Sequence, residues 1–381
     1  MGPSSTKQGH PLRAVPAEQP LVSSSGSGNG MWKDSTRERW LRRSASITGL
    51  TLLTVLYTLV FPVLLVYGLC SDVIRKRNWA LTRFFTLILA VLHWHYVGLV
   101  PLLGLWLVAG RWLGRTPTWW RETNRKLETW WVEKILAFME RLYGMSVEVQ
   151  GMEVAESGPA LLFSRHASII DTILPIRTLS ARFGHTLRIV QKRELLWDPC
   201  VDVISHRVPR TYVRRGSGAP EDEIRQVERL LGGLGKNDIV CIFPEGTRFT
   251  PSKRKEIISK LRLTRPETAA HADQLKHMLP PKPGGALALI EKRPDLDIIF
   301  CAHTGIEGAG KLADFARGGL IGKTLKIQFW RVAASEIPQT EQERSDWLIY
   351  WWKRLDRWIE VNRDRPSASN SSARIPLSVA N

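Results

Sequence analysis

The chain reads as an α/β protein, a mostly parallel sheet flanked by helices, with transmembrane or membrane-embedded helices at its N-terminal side. Three observations predict this. From about Val147 onward, short apolar runs of strand length alternate with helical stretches. Before them lie two long segments without Asp, Glu, Lys or Arg, residues 44–71 and 84–110. Basic and Trp residues crowd the flanks of those segments, as they do at membrane–water interfaces.

Residues 1–31 are rich in Ser, Gly and Pro and predict a disordered tail, without the apolar centre of a signal peptide. Residues 32–111 predict a membrane anchor with one or two spans. Its first apolar segment holds 28 uncharged residues, enough to cross a bilayer, and its Pro62 is tolerated in membrane helices. Arg75, Lys76 and Arg77 form a basic link. The second segment carries His93, His95 and Pro101 and reads as a second span or as a re-entrant, interfacial helix. Two spans place both ends in the cytoplasm, at a bacterial inner membrane or, in a eukaryote, the endoplasmic reticulum.

Residues 112–146 predict amphipathic linker helices. Leu127, Trp130, Trp131, Ile135, Phe138 and Leu142 recur at helical spacing, and Gly144 ends the run. Their apolar face either packs a core or meets the membrane surface. Residues 147–362 predict the α/β domain, with strands over 160–163, 187–190, 239–243, 298–302 and 325–332 and helices over 220–231 and 285–292. Thr340 and Glu343 spell a capping box for a last helix running to about Asn362. Residues 363–381 predict a second disordered tail.

The 381 residues carry 54 Lys plus Arg against 36 Asp plus Glu, a net charge of +18 that favours anionic partners. The basic residues hug the apolar segments instead of forming one stripe interleaved with aromatics, which excludes nucleic acid and favours the lipid bilayer. Cys70, Cys200, Cys241 and Cys301 form no CxxC pair, so neither a zinc ribbon nor a disulfide framework is predicted, and a reducing compartment is.

Two segments carry chemistry. In SRHASIIDT, His166 stands five residues before Asp171. On a regular helix the two would point about 140° apart. They converge only if His166 lies on a loop after the strand and Asp171 in the first turn that follows. A neutral imidazole there removes a proton from a hydroxyl while the carboxylate fixes its tautomer. About eighty residues later comes FPEGTR, a strand end followed by a tight turn at Gly246. Thr247 and backbone amides suit donation to an anion, and Arg248 suits bidentate contact with phosphate. The plainer alternative is a structural turn closed by a Glu245–Arg248 salt bridge.

In order and spacing, these motifs resemble the glycerolipid acyltransferase family typified by 1-acylglycerol-3-phosphate acyltransferase. His166 and Asp171 match its first motif, and Glu245, Gly246, Thr247 and Arg248 its third. Tyr212–Gly216 resembles the second, whose Arg falls on Arg215, and Gln191–Leu195 resembles a Lys-Glu-Leu segment whose basic residue falls on Lys192. Lys282–Ala286 resembles the later glycine turn. Arg165 departs from the family's usual Asn, and 299–305, with His303, departs from its fourth motif. His303 and His206 read as structural or solvent-facing. The basic stretch after Arg248, with FTPSKRKE and LPPKPGG, is similar to the branch of longer membrane-bound lysophosphatidate and lysocardiolipin acyltransferases.

The resemblance implies catalysis by His166, oriented by Asp171, and acceptor binding by Lys192, Arg215, Glu245, Gly246, Thr247 and Arg248. Glu245, a carboxylate beside a phosphate, is expected to order the arginines or contact a hydroxyl. The implied reaction moves a fatty acyl group from an acyl thioester donor, acyl-CoA or acyl carrier protein, to a lysophospholipid acceptor, without cofactor or metal. The default acceptor is 1-acylglycerol 3-phosphate. Lysocardiolipin, lysophosphatidylinositol and lysophosphatidylglycerol are alternatives, as is a non-catalytic lipid-binding protein on the same fold.

Overall fold

A computed structural model of the chain describes residues 35–111, 117–213 and 220–363. The tails expected at 1–31 and beyond Arg363 lie outside the described residues, as does Arg215.

Seven strands form one sheet in the order β1-β7-β6-β2-β5-β3-β4, with β1 Ser146–Gln150, β2 Ala160–Ser164, β3 Thr186–Lys192, β4 Arg210–Val213, β5 Asp238–Ile242, β6 Asp297–Thr304 and β7 Thr324–Val332. Neighbours run parallel except β6 and β7. The sheet is mostly parallel, as expected. β1 and β4 were not predicted. Both are short edge strands, and SVEVQ and RTYV carry too little apolar sequence to announce themselves.

The central strand β2 is buried throughout and pairs Leu162 with Cys241 of β5 and Ile299 of β6. Its side chains alternate between two cores. Ala160 and Leu162 face a layer that includes Val132, Leu136, Met139 and Tyr143 of α3 (Pro117–Tyr143). Leu161 and Phe163 face α9 (Pro283–Lys292) and α11 (Glu341–Asn362), where Phe300 stacks on Trp351 at 4.5 Å. The buried face of α3 is shifted from the predicted stripe: Ile135 is buried, Trp131, Phe138 and Leu142 pack partly against this core and Trp130 is exposed, while Gly144 ends the helix at φ +64°. The remaining helices are the short α4 (Ala181–Phe183), α5 (Pro199–Ser205), α6 (Pro220–Glu228), α7 (Pro251–Thr264), α8 (Pro266–Asp273) and α10 (Leu312–Ala316).

The two apolar segments are α1 (Thr36–Arg75) and α2 (Ala80–Arg111), each continuous through its proline and each long and apolar enough to cross a membrane. They form an antiparallel pair. Asp72 fastens the turn between them, its carboxylate accepting from the Leu81 and Thr82 amides and the Thr82 hydroxyl. Most large apolar residues of α1 are exposed. α2 instead meets the domain along its length. Ala80 lies against Gly318, Leu87 joins the core layer under α3, and Trp94 and Trp131 exchange indole-to-carbonyl hydrogen bonds. The Leu102 carbonyl accepts from Arg207. Gly98 permits the approach, because a Cβ there would come within 2.7 Å of the Trp131 indole nitrogen.

Candidate active site

Strands β2, β3, β4, β5 and β6 all point their C-terminal ends to one edge of the sheet, where parallel α/β folds gather functional groups. His166 follows β2 there, on a non-helical loop, and Asp171 lies in the first turn beyond it. The His166 Nδ1 meets Asp171 Oδ1 at 3.0 Å. The other carboxylate oxygen, Oδ2, accepts from the Ala167 and Ser168 amides at 2.5 and 2.6 Å. Burial pushes the Asp171 carboxyl up. The His166 hydrogen bond, the nearby imidazoles and the Ser168 amide outweigh burial and hold it below its usual range. An ionised Asp171 selects the tautomer with the proton on Nδ1 and leaves the Nε2 lone pair to accept a proton. The Phe243 ring, 4.8 Å from the imidazole, confines it from the side.

FPEGTR follows β5, the neighbour of β2. Glu245 makes no salt bridge to Arg248. Its Oε1 accepts the His166 amide at 2.7 Å and its Oε2 the Leu279 amide at 2.9 Å. The expectation that Glu245 orders arginines or touches a hydroxyl is corrected accordingly: the side chain is buried and turned inward, and it orders the backbone of His166. Burial pushes it up to about 8, against the opposing pull of those two amides. Gly246 turns the chain at φ +69°, but its amide is spent on the Phe243 carbonyl, and the Phe249 amide is spent on the His166 carbonyl. Thr247 and Arg248, between them, are half-buried. Arg248 Nη1 donates to the Gly310 carbonyl at 3.1 Å, and Lys253 Nζ reaches the Thr247 hydroxyl at 2.9 Å. The Lys282 side chain lies across Gly246. Lys192 ends β3, separated from β2 by β5, about 10 Å across the same edge by strand spacing.

Four residues gain specific places here: Arg165, His303, Lys253 and Lys282. Arg165 is buried, its guanidinium donating to the His303 and His277 carbonyls and to Glu307 at 2.6 Å. His303 is buried behind the dyad, its Nε2 3.7 Å from Asp171 Oδ2 and 3.2 Å from the Arg165 carbonyl. Burial pushes its pKa down to about 4, so it is neutral at pH 7. Lys253 and Lys282 were legible only as members of a basic stretch and a glycine turn.

Residues 146–295 match the family model described as Acyltransferase. That stretch is similar to the acyltransferase family. A mouse relative, 1-acyl-sn-glycerol-3-phosphate acyltransferase epsilon, is 25% identical over 244 residues, 61% of this chain and 66% of its own length. Lysophosphatidylinositol acyltransferase 10 of Caenorhabditis elegans is 20% identical over 257 residues, 65% of this chain and 62% of its own length. The chain thus spans slightly less than two thirds of each of these relatives. The crystal structure of the 1-acyl-sn-glycerophosphate (LPA) acyltransferase PlsC from Thermotoga maritima aligns over 75% of this chain and 99% of its own at 17% identity, with a TM-score of 0.47. Within the matched residues lie His166, Asp171 and the whole Glu245–Arg248 turn.

Proposed function

We propose that this acyltransferase transfers a fatty acyl group from an acyl thioester, acyl-CoA or acyl carrier protein, to the free hydroxyl of a lysophospholipid, with 1-acylglycerol 3-phosphate as acceptor and phosphatidic acid as product. The observation that carries the reading is the His166–Asp171 pair, poised at the sheet edge beside the turn that bears Arg248, with Lys253 of α7 against Thr247. His166 Nε2 takes the proton of the acceptor hydroxyl as its oxygen attacks the thioester carbonyl. The tetrahedral intermediate collapses, the C–S bond breaks, and the leaving thiolate recovers that proton from the imidazolium. Arg248, with Lys192 and Arg215, holds the acceptor phosphate. The name of the nematode relative supports lysophosphatidylinositol as a second acceptor.

Membrane attachment follows from the α1–α2 pair. From Ala80 to Leu102, about 35 Å of α2 touches the polar domain, which a helix crossing a bilayer does not do. The pair is therefore read as lying within one leaflet, on the cytoplasmic side, with the exposed face of α1 in lipid. The deciding experiment offers one labelled acyl-CoA and a panel of lysophospholipids to wild type and to His166→Ala, read by product mass. Wild type yields phosphatidic acid, and the variant stays folded and membrane-bound but inactive. A variant with normal turnover removes the mechanism.

A further inference from the structure

Thr247, in the turn after β5, is held by a residue from outside that turn. Lys253 of α7 places its Nζ 2.9 Å from Thr247 Oγ1 and 3.4 Å from the Arg248 carbonyl. An ammonium donates and cannot accept, so the Thr247 oxygen receives the Lys253 proton and its own O–H is turned toward another acceptor. The backbone of Lys253 is fixed, because Thr250 caps α7 and accepts the Lys253 amide at 3.2 Å. A cation in the first turn of a helix works against the helix dipole, and α7 carries no acid there, so helix stability does not account for Lys253. Lys282, the residue before α9, brings a second ammonium. Its side chain lies across Gly246, and its amide is bonded to the Pro244 carbonyl at 2.8 Å. Arg248 adds a half-buried guanidinium. Glu245, the carboxylate of the same turn, is directed to the His166 and Leu279 amides instead of to these cations. The Phe249 amide, bonded to the His166 carbonyl at 2.7 Å, holds the cationic turn against the loop that carries His166.

We propose that Lys253, acting through Thr247 and by its own charge beside Lys282 and Arg248, makes the acceptor site prefer a phosphate monoester to a phosphodiester. The inference rests on the acyl-transfer reading and narrows its choice of acceptor. A monoester such as 1-acylglycerol 3-phosphate has three terminal oxygens and a charge of about −1.5 to −2 at pH 7, with a second pKa of about 6. A diester such as lysophosphatidylinositol has two such oxygens and a single charge. Each added cation gains more from the dianion, and the Thr247 O–H offers a donor for the third oxygen. Lys253 is thus a positioning residue for Thr247 and a specificity residue for the headgroup. Proton transfer stays with His166.

The test compares ratios in the full-length protein. Wild type, Lys253→Met and Lys253→Arg are given one labelled acyl-CoA with 1-acylglycerol 3-phosphate or with lysophosphatidylinositol of the same acyl chain, in the same detergent, across the second ionisation of the monoester. Dividing kcat/KM for the monoester by that for the diester cancels the titration of His166 and any loss of folded protein, which a merely structural role for Lys253 would move equally. In wild type the ratio exceeds one and rises as the monoester loses its second proton at about pH 6. Lys253→Met lowers the ratio about tenfold above that pH and flattens the rise, Lys253→Arg keeps most of both, and Lys282→Met lowers the ratio by a smaller factor. An unchanged ratio in Lys253→Met overturns the assignment. A wild type that acylates both acceptors with a ratio at or below one also overturns it and leaves acyl transfer in place. Calorimetric binding of the two lysolipids without acyl-CoA separates the headgroup from the chemistry. If wild type binds the monoester more tightly, Lys253→Met loses that preference and no acceptor is acylated, the headgroup assignment stands and the acyl-transfer reading falls.

Discussion

Glu245 holds the backbone of His166: its Oε1 accepts the His166 amide at 2.7 Å while its Oε2 ties in Leu279. The third motif thus positions the residue of the first from the adjacent strand, while Arg248, three residues on, donates to the Gly310 carbonyl. Glu245→Gln keeps one acceptor oxygen but turns an NH2 toward the other amide. The expected cost is about 1–3 kcal/mol of stability together with lower activity. The penalty also depends on pH. The Glu245 carboxyl is pushed up to about 8 by burial, so its contribution to wild type is complete below pH 4.5 and is lost as pH rises through 8. The gap between wild type and variant therefore narrows from pH 4.5 to 8, as urea denaturation at a series of pH values will show.

Asp171→Asn tests the tautomer argument. The Asn oxygen can take over the Ala167 and Ser168 amides, which leaves its NH2 facing His166 Nδ1. The imidazole then carries its proton on Nε2 and has no lone pair for the acceptor hydroxyl. The expected outcome is a fall in kcat of about 10³- to 10⁴-fold with KM little changed. A loss confined to KM would show that Asp171 shapes the binding site and not the base.

Much of this arrangement was legible in the sequence because it rests on strand ends. His166 and Glu245 each follow a short apolar run, and adjacent parallel strands bring such ends together without any long-range signal. The inward turn of Glu245 was not legible, since whether a carboxylate meets a guanidinium or two amides is decided by the Leu279 loop, which is distant in sequence. The place of Arg165, and which of the structural and solvent-facing readings holds for His303, were hidden for the same reason. Each reads locally as an ordinary polar residue, and only the closure of β6 against β2 buries them side by side. The long contact of α2 with the domain was also hidden, because an apolar helix looks the same whether lipid or protein covers it.

Burial of His303 carries a stability signature. Its pKa is lowered to about 4 from an ordinary 6.5, first by burial and then by the neighbouring Arg165 charge, with Asp171 and Glu307 opposing. The unfolded chain binds the extra proton, so stability is lost as pH falls from 6.5 toward 4. His303→Gln should flatten that part of the profile. Glu245 slopes the other way over part of this window, but in both proteins, so the difference between them isolates His303. Equal slopes for wild type and variant would mean that His303 is not held neutral.

Asp202 fixes the start of α1 to the domain, and it offers the clearest test of how the α1–α2 pair is coupled to the sheet edge that bears His166. The side chain has no exposed surface, and its two oxygens accept from Arg42 at 2.8 Å and from Arg43 at 3.0 Å, with His206 at 3.1 Å. Burial pushes the carboxyl up, but His206 and the two arginines bring it down to about 2, so its contribution is intact above pH 3.8 and lost only as pH falls through 2. Asp202→Ala leaves two largely buried guanidinium groups without this partner, a change that costs about 3–5 kcal/mol where a buried pair is broken outright and less here, since both arginines keep some contact with water. The strands do not depend on this contact, so the loss should stay local. Hydrogen exchange is expected to speed up at residues 36–50 while β2 and β5 remain protected, and acylation of a water-soluble acceptor is expected to survive. Faster exchange throughout the sheet would show instead that Asp202 supports the whole domain, and unchanged exchange at 36–50 would show that α1 is held by its packing on α2 alone.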